Sequence, residues 1–126
     1  MQMLIDEIEE LRESDIGDLV EKRVSEFQRV GDMGNERWFS ELSFCVLTAN
    51  STAELGIEIQ RELGAEGFAS LPLSKLQDKL QDMGHRFYNV GAEYIVENRD
   101  YSDEIKDIVR DFSDSYEARE WIVDNI

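Results

Sequence analysis

The chain has 126 residues, with 29 aspartates and glutamates against 13 lysines and arginines, which gives a formal net charge of −16 at pH 7. This length suits one domain that buries roughly two-thirds of its unfolded surface, and the negative charge opposes binding to DNA phosphates. No apolar run reaches the ~18 residues of a membrane span and no secretory leader opens the chain, so we expect a cytoplasmic protein without membrane contact. The single cysteine, Cys45, excludes an internal disulfide, and together with the single histidine, His85, it cannot form a zinc ligand set. We therefore expect neither a metal nor a cofactor.

Apolar residues at three- and four-residue spacing predict helices in the first part of the chain. Ile5, Ile8 and Leu11 mark a short first helix, and residues 31–35 break the chain after a longer second one. The apolar positions of that second helix are Ile16, Leu19, Val20, Val24, Phe27 and Val30.

The third predicted helix contains the most informative segment. Residues 44–47 are all apolar, including Cys45, which predicts a helix buried on every side in the middle of the domain. This helix is expected to stop at residues 48–50, and Ser51 with Glu54 predicts a capping box that opens the fourth helix. A central helix would then end at a sharp corner that presents the amide of Asn50. Because asparagine is also favoured at ordinary helix ends, the corner alone leaves both interpretations open.

The remaining chain is also predicted to be helical, with one proline, Pro72, and no alternation typical of strands. We expect the fourth helix to close at Gly64, before a turn-rich connector at residues 67–72. Ser74 predicts a second capping box, and Gly84 a helix stop. The sequence therefore predicts an all-α, single-core domain of seven or eight helices over residues 1–126. The last three helices carry Phe87, Tyr88, Tyr94 and Ile95, then Ile105, Ile108, Val109 and Phe112, and finally Ala118, Trp121 and Ile122 behind a capping Asp114.

A candidate DNA-contacting tip follows Gly84, with the sequence His85-Arg86-Phe87-Tyr88. An aromatic ring beside an arginine can stack on bases while the guanidinium contacts base edges or phosphates. The alternative is that Phe87 and Tyr88 are core residues at helical spacing and that Arg86 is a surface cation.

These segments together resemble the second archaeal family of 8-oxoguanine DNA glycosylase/AP lyases, in the helix-hairpin-helix DNA glycosylase superfamily. The resemblance runs from about Ile5 to Ile126 and rests chiefly on Leu47-Thr-Ala-Asn50 and on Gly84-His-Arg-Phe-Tyr-Asn-Val-Gly-Ala-Glu-Tyr-Ile-Val96. It implies a compact helical fold of the DNA glycosylase type that lacks the hairpin and the C-terminal helices. It also implies base-excision repair of 8-oxoguanine in duplex DNA, which requires the damaged nucleotide to leave the base stack.

The resemblance further implies three DNA-binding residues and a partner, double-stranded DNA containing an oxidised purine. Asn50 would fill the space vacated by the extruded nucleotide and bond the orphaned base. Arg86 would contact the base opposite the lesion, and Phe87 would stack on the extruded purine. His85 belongs to the same tip and is expected to bind DNA with them.

No catalytic residue is expected within this chain. In the family a lysine attacks the sugar C1′ and forms a Schiff base that permits β-elimination, with an assisting aspartate. Both residues follow the positions that match residues 123–126, so a C-terminal half, in cis or in trans, would have to supply them. A chain without that half is expected to be inactive and to expose Trp121 or Ile122. The lysines present match neither position; they are Lys22, Lys75, Lys79 and Lys106.

The acidic charge leaves two functional interpretations open. At molar salt the screening length falls to about 3 Å, and acidic surfaces keep proteins soluble, so a halophile's repair enzyme would have this composition. The alternative is a non-catalytic acidic helical interaction module, either a degenerate paralogue or a DNA-mimicking protein that binds basic proteins.

Overall fold

The computed structural model describes residues 1–49 and 51–126, and Asn50 lies outside the described residues. These two ranges form eight α-helices, one short 3-10 helix and no strand, which confirms the all-α prediction. No helix within them combines the length and the apolarity that crossing a bilayer requires. The α-helices are α1 (Gln2–Glu13), α2 (Asp15–Gly31), α3 (Asn35–Thr48), α4 (Ala53–Ser70), α5 (Leu73–Asp82), α6 (Tyr88–Asn98), α7 (Ile105–Asp111) and α8 (Ser115–Asn125), with the 3-10 helix at Arg99–Tyr101.

The chain divides into two compact units, Met1–Met33 and Gly34–Ile126, and the single-domain organisation stays a prediction. In the first unit α1 and α2 pack on each other around Ser14, whose hydroxyl oxygen accepts a bond from the Gly17 N–H. The apolar positions of both helices remain exposed instead of filling a core, except Val30, which is partly buried. Some of them line a groove of about 440 Å³, together with Arg12 and Glu21; they are Ile8, Leu11, Ile16 and Val20.

The second unit contains a buried apolar core to which helices α3 to α7 contribute. Helix α3 packs against α4, α6 and α7, so it occupies a central position as predicted. The buried members of this core are Phe39 and Leu47 on α3, Ile59 and Phe68 on α4, Leu76 and Leu80 on α5, Ala92 and Ile95 on α6, and Ile105 on α7.

The prediction that α3 is buried on every side is wrong. Its buried residues lie on one face and include Ser40 and Ser43, whereas Cys45 is exposed. One turn of apolar residues points in all directions, but the neighbouring helices cover only the face spaced at three and four residues. The polarity of the residue types therefore did not indicate which side of α3 is covered.

Several predicted helix ends are shifted. Thr52, not Ser51, caps α4, because its hydroxyl oxygen accepts from the Leu55 N–H at 3.1 Å. Ser74 lies inside α5 and makes no cap bond, since that helix already starts at Leu73. The chain bends at Gly64 (φ 65°), but helical structure resumes and continues to Ser70, so the predicted connector is largely helical.

The last helix has the cap that the sequence predicted. The carboxylate of Asp114 accepts a bond from the Tyr116 N–H at 2.9 Å, which satisfies one of the amides left free at the start of α8. On this helix Trp121 packs edge-on against Tyr101, with ring centroids 5.2 Å apart. The expectation that Trp121 is exposed is therefore wrong; the exposed side chains of α8 include Tyr116 and Val123.

Candidate nucleic-acid interface

A tight turn after α5 builds the predicted tip. Gly84 adopts a φ of +88°, a left-handed conformation that side chains disfavour. Its N–H donates to the Gln81 carbonyl at 3.0 Å, and the His85 N–H donates to the Leu80 carbonyl at 2.9 Å. This pair of bonds is the Schellman arrangement that ends helices, and it fixes where the residues after Gly84 leave α5.

Arg86 and Phe87 lie on the surface of this tip. The Phe87 side chain is 42% exposed, and the Arg86 guanidinium carbon lies 5.6 Å from the centroid of its ring. A cation over an aromatic face is attracted by the ring quadrupole, which favours a shared orientation of the two side chains. Tyr88 is instead partly buried against the core. The core interpretation thus holds for Tyr88 but not for Phe87, whereas both interpretations place Arg86 on the surface.

His85 is turned into the protein, with only 4% of its surface exposed. Its Nε2 lies 2.9 Å from the carbonyl oxygen of Leu47. Because a carbonyl oxygen can only accept, Nε2 carries the proton and donates it in this bond. The predicted DNA contact of His85 does not fit this position, since the ring has almost no surface left to meet a ligand.

The His85 bond places the tip against the last turn of α3. Helix α6 packs closely on the same spot, because a Cβ atom added to Gly91 would lie 3.2 Å from Leu47 Cδ2 and 3.6 Å from His85 Cε1. The structure therefore brings Arg86 and Phe87 close to the helix end that precedes the predicted corner. Asn50 itself lies outside the described residues, so its role as a wedge stays a prediction.

The described residues hold no second site with comparable chemistry. Within residues 1–49 and 51–126 no three His, Cys, Asp or Glu side chains are grouped as metal ligands are. Desolvation by neighbouring atoms and the charge of Glu41 raise the pKa of the exposed Cys45 thiol. A raised thiol pKa is the opposite of what an activated cysteine nucleophile requires.

The anchoring position of His85 could have been recognised in the sequence. The residue directly after a helix-ending glycine commonly turns inward and packs on the preceding helix. His85 occupies that place after Gly84, but its polarity and its position beside Arg86 favoured a surface role.

The 8-oxoguanine DNA glycosylase family model (Ogg-HhH) matches residues 20–126 of the chain. The chain belongs to the 8-oxoguanine DNA glycosylase family. It is 52% identical over 124 residues to the 8-oxoguanine DNA glycosylase/AP lyase of Methanocaldococcus jannaschii, covering 98% of this chain and 59% of that protein. The protein of the same name from Thermotoga maritima is 47% identical over 126 residues, covering 99% of this chain and 59% of that protein.

Solved structures agree with this family assignment. The crystal structure of the M. jannaschii 8-oxoguanine glycosylase/lyase in complex with a 15mer DNA containing 8-oxoguanine superposes with a TM-score of 0.91 at 52% identity, covering 98% of this chain and 59% of that one. The T. maritima 8-oxoguanine DNA glycosylase superposes with a TM-score of 0.87 at 46% identity, covering 98% of this chain and 58% of that one. The DNA glycosylase fold predicted from the sequence is therefore confirmed, and the chain spans somewhat less than two-thirds of the relatives it matches.

Proposed function

We propose that this chain is the N-terminal helical part of an 8-oxoguanine DNA glycosylase/AP lyase and that it contributes the lesion-recognition elements of base-excision repair. Its substrate would be duplex DNA containing 8-oxoguanine, which implies a cytoplasmic location. Phe87 would stack on the extruded purine, Arg86 would contact the opposite base, and Asn50 would occupy the vacated position. The lysine nucleophile and the assisting aspartate would come from polypeptide that corresponds to the remainder of the relatives.

One observation carries this proposal: the exposed pair of Arg86 and Phe87 is anchored beside the end of α3. The tip reaches that helix end through the 2.9 Å bond from His85 to Leu47, and Asn50 follows Leu47 by three residues in the sequence. An enzyme that acts on an extruded base needs a stacking surface and a group that keeps the duplex open. The tip and the predicted corner would supply these two functions side by side.

The first test is a binding titration with two duplexes that differ only in one 8-oxoguanine:cytosine or guanine:cytosine pair. It should run from about 0.1 M to about 3 M potassium chloride, because screening of the −16 charge decides whether DNA can approach. We expect tighter binding to the lesion duplex, and we expect the joint substitution of Asn50 and Phe87 by alanine to abolish that difference. A double variant that keeps the full lesion preference would refute the site assignment.

The catalytic half is the second part of the proposal, and the apolar face of the first unit supports it. Leu19 and Phe27 of α2 are 56% and 69% exposed, and Ile8, Leu11 and Ile16 line the groove of the same unit. Exposed apolar side chains in this number are typical of a surface that another polypeptide covers. We propose that the C-terminal half, in cis or in trans, supplies that cover together with the hairpin, the lysine and the aspartate.

This part can be tested by complementation. The segment of the M. jannaschii relative that has no counterpart in this chain would be mixed with it and incubated with the lesion duplex. Borohydride reduction should then trap a covalent adduct between DNA and the added segment, because a Schiff base forms at its lysine. An adduct on this chain alone, without the added segment, would place the nucleophile among the residues described above and refute the proposal.

The charge favours one competing function, a non-catalytic acidic module that binds basic proteins. Met1–Met33 carries ten acidic and four basic residues, and the rest of the chain carries nineteen and nine, so both units are acidic. This alternative requires equal affinity for the lesion and undamaged duplexes at every salt concentration. It also requires binding to a basic protein that is lost as salt screens the attraction.

A further inference from the structure

His85 is the buried residue of the tip, and its backbone and its ring form hydrogen bonds to two different helices. Its backbone N–H donates to Leu80 at the end of α5, and its ring donates to Leu47 at the end of α3, 38 residues earlier in the chain. One residue therefore links the turn that presents Arg86 and Phe87 to the helix end that precedes Asn50.

The bond to Leu47 is specific for a donor at the position of Nε2. The last four carbonyls of a helix lack partners within it, and Leu47 lies in the last turn of α3 with 1% of its surface exposed. The Ser51 N–H does not serve this carbonyl, because it donates to Thr48 at 3.3 Å. The imidazole thus donates to a buried acceptor, and an apolar side chain in its place would remove this bond.

Helix α6 packs beside the ring and Leu47. A Cβ atom added at position 91 would lie 3.2 Å from Leu47 Cδ2, so Leu47 would have to shift by a few tenths of an ångström, and 3.6 Å from His85 Cε1, which is an ordinary van der Waals contact. The other ring nitrogen, Nδ1, is buried and has no hydrogen-bond partner among the described residues. The Nε2 bond is therefore the polar contact that fixes the orientation of the ring.

We propose that His85 is a positioning residue that holds Arg86 and Phe87 in register with the end of α3, so that base stacking and wedging act on the same nucleotide. Its role is indirect, because the ring bonds Leu47 and only 4% of the residue's surface is exposed. For its DNA readouts this inference rests on the proposed function, so the test has one arm that does not depend on DNA.

The DNA-independent arm is a nuclear magnetic resonance measurement on the free chain. Long-range proton–nitrogen correlations of the imidazole should show the proton on Nε2. In His85→Leu the amide shifts of Thr48, Arg86 and Phe87 should move together, and His85→Gln, whose amide can donate from a similar place, should return them towards the wild-type values. A proton on Nδ1, or shifts confined to the immediate neighbours of residue 85, would overturn the positioning link.

The DNA arm compares affinities for the lesion and undamaged duplexes. His85→Leu should reduce the ratio of these affinities about tenfold. This factor corresponds to the free energy that one buried hydrogen bond contributes. His85→Gln should keep the ratio within about threefold of the wild type. A His85→Leu variant that retains the wild-type ratio would overturn the proposal.

A control separates positioning from a general loss of stability. Ile105→Val removes one core methyl group near the opposite end of α3, where the Asn35 side chain accepts from the Lys106 N–H at 2.8 Å. That end is about 18 Å from Leu47 along the helix. The control should lower stability but keep the lesion ratio, and a control that lowers the ratio as much as His85→Leu would overturn the proposal. If the wild type shows no lesion preference, the proposed function fails, and the magnetic resonance arm still decides the link.

Discussion

Truncation of Phe87 separates recognition of the lesion from stability of the fold. We expect Phe87→Ala to weaken binding to the 8-oxoguanine duplex while the protein stays folded. In the proposed complex the ring stacks on the extruded purine, and such base–aromatic stacking contributes about 1–3 kcal/mol per base. This range corresponds to a loss of affinity of about 5- to 150-fold.

The expected loss of stability is small because the ring is 42% exposed. Truncation of a fully buried phenylalanine costs about 3–5 kcal/mol, and that cost includes an internal cavity. Phe87 has solvent on one side, so its removal leaves no closed cavity. The lost contact with the Arg86 guanidinium, 5.6 Å from the ring centroid, adds about 0.5–1 kcal/mol at an exposed site. We therefore expect the free energy of unfolding to fall by less than about 2 kcal/mol.

Fluorescence anisotropy with labelled lesion and undamaged duplexes measures the affinities, and urea unfolding measures the stability. Phe87→Leu is a matched variant that keeps an apolar side chain but cannot stack. Tyr116→Ala removes an aromatic side chain that is 63% exposed on α8 and should change neither affinity. The reasoning is refuted if Phe87→Ala binds the lesion duplex as tightly as the wild type, or if Tyr116→Ala weakens binding equally.

Three further predictions concern the scaffold that holds the site. Arg99→Ala should lower the free energy of unfolding by about 2–4 kcal/mol in urea, because the guanidinium donates to two carbonyls at the end of α4, at 2.9 and 2.7 Å; the exposed Arg61→Ala should stay within about 0.5 kcal/mol. Gly17→Ala should destabilise the α1–α2 unit by about 1–3 kcal/mol, since the added Cβ would overlap the Arg12 carbonyl oxygen. Faster amide exchange in α1 would show this loss. Folding raises the pKa of Cys45 above its ordinary 9.0, so the unfolded thiol ionises first and stability should fall as pH rises through the interval between the two values. The stability of Cys45→Ser should therefore fall less as the pH rises through this interval. An equal fall of stability in both proteins would contradict this prediction.

The sequence predicted the helices well because the apolar period is a property of each segment alone. The helix ends were less predictable, because they depend on competition between neighbouring groups. Ser51 and Thr52 are adjacent hydroxyl residues, and either can cap α4; the structure selects Thr52. The end of α4 is a second example. Gly64 alone predicts that the helix ends there, but helical structure resumes after it and continues to Ser70.

The candidate site was predictable in part for the same reason. Arg86 and Phe87 are exposed at a turn that Gly84 marks in the sequence. The inward direction of His85 follows from its place directly after Gly84, but its partner was not predictable, because that partner is the carbonyl oxygen of Leu47, a main-chain atom that no residue type identifies. Bonds to main-chain atoms between distant segments carry no residue signature, so a single sequence cannot show them.

The charge distribution indicates how lesion recognition and DNA affinity are divided in the proposed enzyme. The segments at residues 38–60 and 84–98 contain one lysine or arginine between them, Arg86. Arg86 is proposed to contact the opposite base, and even one phosphate contact would change the logarithm of affinity by only about 0.9 per tenfold change in salt. The repulsion from the −16 charge weakens as salt increases. Binding by this chain alone should therefore be weak and nearly independent of salt, or should strengthen at high salt. The phosphate contacts that give strong binding would then belong to the C-terminal half, while the tip and the end of α3 would distinguish the damaged base.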